Sequence, residues 1–104
     1  MDFLVYIEIG RIEGDADAQQ GFLEREAARA GELAAQGVLR SLWRVPGRRA
    51  NWGIWVTDDC DQLHAAISSL PLFPYLSITV HPLARHPNAP QYSVSTDASS
   101  GERP

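Results

Sequence analysis

The chain has 104 residues, enough for one domain with a single modest core, and its 13 acidic and 9 basic side chains give a net charge of -4. With a pI near 5.2 it lacks the basic face that phosphate neutralisation needs, which argues against nucleic-acid binding, and its longest apolar runs fall far short of the roughly 20 residues of a membrane helix. Cys60 stands alone, so no internal disulfide is possible, no Cys/His cluster has zinc spacing, and the N-terminus lacks a signal-peptide pattern; the expectation is a cytoplasmic protein without a metal site.

Phe3, Val5, Ile7 and Ile9 share one face of a first strand, with Leu4, Tyr6 and Glu8 on the other, and this strand is expected to be central. Residues 10–17 form a polar loop in which Asp15 or Asp17 can accept hydrogen bonds from the first free N–H groups of a helix. The spacing predicts helix one from about Ala18 to Gln36, ended by Gly37 in a left-handed conformation.

On a wheel of about 100° per residue with Leu23 at zero, Phe22, Leu33, Ala34, Ala30 and Ala27 occupy one sector, from about 260° through zero to about 40°. Glu26 falls at about 300°, inside that sector, whereas Glu24 and Glu32 land opposite and read as solvated charges. A carboxylate aimed at a core must be paired, protonated or lining a cavity, because an isolated buried one is strongly unfavourable. Two readings follow: an ion pair with Arg44, Arg48 or Arg49 that ties helix to hairpin, or a base whose pKa burial has raised.

Next come two strand-like runs around a turn rich in Pro, Gly and Arg. Leu39, Ser41, Trp43 and Val45 alternate with Arg40, Leu42 and Arg44, while Trp52, Ile54 and Val56 alternate with Asn51, Gly53 and Trp55. The five residues Pro46 to Ala50 suit a hairpin connection. This hairpin carries all three tryptophans and has large residues on both faces, so each side needs a cover: a helix on one, a second subunit on the other. Asn51 shares its strand face with Gly53 and Trp55, and the glycine leaves room for a ligand beside it.

Thr57, Asp58 and Asp59 offer caps for a second helix in which Leu63, Ala66, Ile67 and Leu70 form the apolar stripe, ending before Pro71. Cys60 reads as a small, partly buried residue at its start, and His64 as a surface or interface histidine. The PLFPY segment, Pro71 to Tyr75, is stiffened by two prolines and suits a fixed pocket wall, a subunit contact or plain core packing. Leu76, Ile78 and Val80 then alternate with Ser77, Thr79 and His81 in a last strand, stopped by Pro82. The domain is expected over residues 1–87, with His86 near its end, and residues 88–104 read as a mobile tail with almost no apolar payload.

The order strand, helix, strand, strand, helix, strand is the split βαβ pattern of an α+β, ferredoxin-like domain with an antiparallel sheet. Helices cover one sheet face, and the other is apolar enough to predict sheet-to-sheet dimers or a larger ring. A pocket between helix layer and sheet is expected to hold Glu26 and Asn51 between aromatic walls, for which Trp43, Trp55, Phe73 and Tyr75 are the candidates.

The segment GVLRSLWRVPGRRANWGIW, followed by LPLFPYLSITVHPLARHP, resembles the muconolactone delta-isomerase family, whose chains carry a similar LWR–glycine–AN stretch, then LPLFPYMDIEV, then an RHP or KHP ending. The resemblance covers roughly Phe3 to Pro87. It implies a ferredoxin-like fold, closed homo-oligomers built from dimers up to decamers, no cofactor, and a proton shift within an unsaturated lactone of aromatic-ring catabolism, muconolactone to 3-oxoadipate enol-lactone. The family's acid/base glutamate lies on helix one, eleven residues before the glycine that ends it, which is where Glu26 stands relative to Gly37; the family's asparagine after the hairpin matches Asn51.

This chain departs from the family pattern in the hairpin. Arg48-Arg49 replaces His-Tyr or Glu-Tyr, and Asn51-Trp52-Gly53-Ile54-Trp55 replaces Asn-Tyr-Ser-Val-Phe. A guanidinium in place of a phenol favours a carboxylate-bearing small molecule, bound by Arg48 or Arg49. It also leaves two alternatives to the lactone isomerase: a relative acting as a lactone dehalogenase or a biosynthetic cyclase, and a binding scaffold in which Glu26 only pairs with an arginine.

Overall fold

Capping groups set the helix ends. In the computed structural model, which describes residues 1–90, the Asp15 carboxylate accepts from the Ala18 N–H at 2.8 Å, so α1 (Ala16–Ala35) starts two residues before the apolar pattern does. At its other end Gly37 sits at φ +79°, the Gly37 N–H donates to the Ala34 carbonyl at 3.0 Å, and the Val38 N–H donates to the Leu33 carbonyl at 2.9 Å. That pair of bonds is a Schellman closure, and it needs a residue free to adopt positive φ. Asp59 caps α2 (Cys60–Ser68) in the same way as Asp15, through the Gln62 N–H at 2.8 Å. Cys60, expected to be partly buried, is exposed in the first turn of α2 because the buried stripe begins at Leu63.

Four strands, β1 (Asp2–Ile9), β2 (Leu39–Arg44), β3 (Ala50–Val56) and β4 (Leu76–Leu83), pair antiparallel in the order β2-β3-β1-β4, giving the expected βαββαβ, ferredoxin-like domain with β1 inside. Pro82 does not stop β4: it pairs with Phe3, and the strand runs on to Leu83. The fourth strand lies at the sheet edge, where a residue without an N–H can be tolerated. Beyond residue 90 the expected tail lies outside the described residues.

Both helices cover the same sheet face. Phe3, Val5 and Ile7 of β1, Leu39 of β2 and Trp55 of β3 meet Leu33 of α1 and Leu63, Ile67 and Leu70 from α2 and its end in one core. The polar loop before α1 contributes an anchor that carried no pattern: Ile12 is only 4% exposed, and Gln19 Nε2 donates to the Ile12 and Gly14 carbonyls at 3.0 Å each.

One irregularity decides which hairpin residues face the helices. Leu39 is paired with Trp55, but Ser41 with Ile54, Leu42 with Gly53 and Arg44 with Asn51, so a β-bulge lies between Leu39 and Ser41. The strict alternation expected through β2 is therefore broken. Leu39, Leu42 and Arg44 face the helices, while Ser41 and Trp43 join Tyr6, Trp52 and Ile54 on the uncovered face.

Candidate functional site

The side of α1 turned to the sheet carries Gln19, Phe22, Glu26, Arg29, Ala30 and Leu33, none of them exposed, whereas Leu23, Ala27 and Ala34 are exposed. The packed stripe is thus narrower than the apolar sector of the wheel, and Glu26 lies at its middle. Its Oε1 accepts from the Leu72 N–H at 3.0 Å, just before the 3₁₀ turn Phe73–Tyr75. Burial raises the Glu26 pKa above its ordinary 4.5, and the Leu72 N–H lowers it by a smaller amount. Among the described residues no ion pair joins Glu26 to Arg44, Arg48 or Arg49 or to any other cation, so none of them offsets its desolvation.

Next to this helix, between it and the hairpin, lies a hollow of about 610 Å³ lined by Ile9, Leu23, Leu42, Arg44, Arg49, Ala50 and Asn51. Strand pairing brings its polar groups together: Arg44 is the register partner of Asn51, and the Arg49 carbonyl accepts from the Ile9 N–H at 2.8 Å, pinning the end of the hairpin loop to β1. Two guanidiniums and one amide thus share a recess whose other walls are aliphatic. Such a site suits a small organic acid with an apolar ring. Asn51 Oδ1 is buried there without a hydrogen-bond partner among the described residues.

Glu26 lies outside the lining of this hollow, one helical turn from Leu23, which is part of it. Residues three apart on a helix have Cβ atoms only about 5–6 Å from each other, within the swing of a glutamate side chain.

The sequence candidates separate accordingly. Arg49 and Asn51 line the hollow, and Arg44 joins them. Arg48 does not: it lies on the uncovered sheet face, with Nη1 3.5 Å from the Tyr6 hydroxyl, because neighbouring residues at the strand entrance point to opposite sides. Trp43, 56% exposed, is on that same face, displaced from the hollow by the bulge. Trp55 is 2% exposed and belongs to the core. Phe73 lines a second, apolar hollow of about 390 Å³ between α2 and β4, with Cys60, His64 and Val80, and its ring meets His64 edge-on at 6.3 Å. Tyr75 packs edge-on against Phe22 at 5.7 Å, and its carbonyl accepts from the Gly10 N–H at 2.7 Å. Arg44 and Leu42 were missed as lining residues because the bulge that turns them inward leaves no mark in the alternation.

The profile of muconolactone delta-isomerase matches residues 1–89. A muconolactone delta-isomerase of Cupriavidus pinatubonensis is 46% identical over 65 residues, covering 62% of this chain and 71% of that one. Muconolactone delta-isomerase 2 of Acinetobacter lwoffii is 39% identical over 72 residues, covering 69% of this chain and 75% of the relative. A crystal structure of muconolactone isomerase superposes with a TM-score of 0.80 at 32% identity, over 86% of this chain and 95% of that chain.

Proposed function

Because the chain belongs to the muconolactone delta-isomerase family, we propose that it moves a proton within an unsaturated lactone acid, with Glu26 as both base and acid. The observation that carries this reading is the half-buried carboxylate, without a cationic partner among the described residues, beside a recess that holds two arginines and an asparagine.

In this scheme the substrate carboxylate binds the Arg44 and Arg49 guanidiniums, whose paired N–H groups match two carboxylate oxygens. Glu26 takes a proton from the ring carbon next to the double bond. The electrons of that C–H bond form a new C=C bond, and the old double bond shifts toward the lactone carbonyl, whose oxygen gains negative charge. The Asn51 amide stabilises that oxygen. Glu26 then returns the proton to the ring carbon next to the carbonyl as the C=O bond re-forms, so the product is an isomer and nothing else is consumed. A carboxyl pKa raised toward the working pH serves both steps, since the same group must accept and then release the proton.

Acid/base participation of this kind is worth about 10²–10⁴-fold, and Glu26→Gln is expected to lower kcat for muconolactone by that factor. Wild-type turnover by the purified variant overturns the assignment.

The pair of arginines favours one alternative: the same fold and glutamate acting on a different lactone, with loss of halide or closure of a ring. Parallel assays of muconolactone with halogenated and polycyclic lactones separate the two, and strong turnover of muconolactone alone rules against the alternative.

A further inference from the structure

Among the described residues two buried side-chain polar atoms have no partner, Asn51 Oδ1 and Trp55 Nε1. Both belong to the helix-side face of β3, with Gly53 between them. A buried N–H that has given up water without gaining an acceptor is unfavourable, and folded proteins keep one mainly where a water or a ligand completes it.

The indole of Trp55 reaches back along its own strand. A Cβ placed on Gly53 would lie 3.1 Å from Trp55 Nε1, 3.2 Å from the Ser41 carbonyl oxygen and 3.3 Å from Leu42 Cδ1. Only glycine at position 53 therefore lets the indole edge lie this close to the sheet. Leu42, the register partner of Gly53, lines the hollow together with Asn51 and is 52% exposed. The indole N–H thus lies beneath the part of the floor that Leu42 covers, and a half-exposed leucine is a cover that can shift. Successive same-face positions on a strand are roughly 6.6 Å apart, so one oxygen atom placed between Asn51 and the indole can touch both.

We propose that Trp55 is a substrate-binding residue whose indole N–H donates to an oxygen of the bound ligand, seated between Asn51 and Leu42 on the floor of the hollow. The ligand class this selects is an acid with a second acceptor: a carboxylate held by Arg44 and Arg49, and a ring carbonyl oxygen that accepts from the Trp55 indole N–H and from the Asn51 side-chain NH2, the orphaned Asn51 Oδ1 being itself an acceptor that this oxygen does not complete. The inference rests on the lactone-acid reading and makes the indole a second donor, with the Asn51 amide, to the oxygen that gains charge.

The test uses the full-length ¹⁵N-labelled chain, whose three tryptophans supply three indole N–H resonances. Trp55→Phe identifies one of them by its loss; should that variant fail to fold, Trp43→Phe and Trp52→Phe identify it by elimination. The probe is the saturated lactone acid, which lacks the ring double bond and does not isomerise. Addition of the probe is expected to shift the Trp55 indole resonance, and Trp55→Phe is expected to weaken probe binding and lower kcat/KM about tenfold, as loss of one hydrogen bond does. Gly53→Ala, which crowds the indole, is expected to weaken binding likewise. If the backbone amides of Arg49 and Asn51 shift while the Trp55 indole does not, the indole is satisfied by a trapped water and this inference fails, with the isomerase reading intact. If no residue of the hollow responds to the probe, both fall together.

Discussion

Glu26 combines a position any surface glutamate could have with a neighbourhood that few have. Its carboxylate is partly withdrawn from water, receives one backbone N–H from Leu72, and has no cation beside it among the described residues, so burial raises its pKa above 4.5. The consequence for stability has a definite sign. Between the unfolded value near 4.5 and the higher folded value, the folded state binds more protons, so stability falls as pH rises through that window and stays lowered above it. Glu26→Gln, which keeps the acceptor for Leu72 and removes the charge, is expected to match the wild type below about pH 4.5 and to exceed its stability at neutral pH. Urea unfolding across a pH series checks this; a variant less stable at neutral pH would instead indicate a charge partner. The same shift predicts that the acid limb of kcat/KM for the wild type has its midpoint above 4.5. This residue was legible in the sequence because helical periodicity is rigid: a charge at the centre of an apolar arc has nowhere else to point. Ile12 was not legible, since a single buried anchor in a loop has no period to betray it.

At the scale of elements, the alternation of β3 was readable and that of β2 was not. Residues 51, 53 and 55 face the helices as the period of two requires, and their partners on β1 are Ile7, Val5 and Phe3. In β2, one extra residue before Ser41 reverses the faces, which moves Trp43 out of the site and Leu42 and Arg44 into it. Bulges depend on local pairing and twist, and no residue type in this stretch announces one. The loop between the two strands shows how sharply facing matters: Arg49 lines the hollow and Arg48 lies against Tyr6 on the opposite side of the sheet. Arg49→Met is therefore expected to raise KM for a lactone acid by roughly 10–100-fold, the cost of hydrogen bonds to a charged group, with a smaller effect on kcat. Arg48→Met is expected to leave kcat/KM within about twofold, because its guanidinium does not reach the hollow. Steady-state kinetics of the two variants checks both, and a larger loss at Arg48 would place the substrate on the other face of the sheet.

For the whole molecule, the helices account for one face of the sheet, and what remains is an aromatic surface. The Tyr6 and Trp52 rings meet at a tilt with centroids 4.8 Å apart, Trp52 lies 6.1 Å from the His81 ring, and Trp43 lies on the same face, 56% exposed. An aromatic surface of this kind, with rings from all four strands, suits burial against another subunit, and the family resemblance leads to the same expectation of a closed homo-oligomer. Sedimentation is expected to give a multiple of the 11.5 kDa chain mass, and Trp52→Arg, which sets a charge at the centre of the surface, is expected to reduce that multiple. The hollow with Arg44, Arg49 and Asn51 lies on the helix side, away from the aromatic face, so dissociation through that face is expected to reduce thermal stability more than kcat. A wild-type protein sedimenting at the mass of one chain would mean that the aromatic face stays in water, and a Trp52→Arg variant that loses turnover in proportion to its dissociation would mean that a neighbouring subunit completes the site.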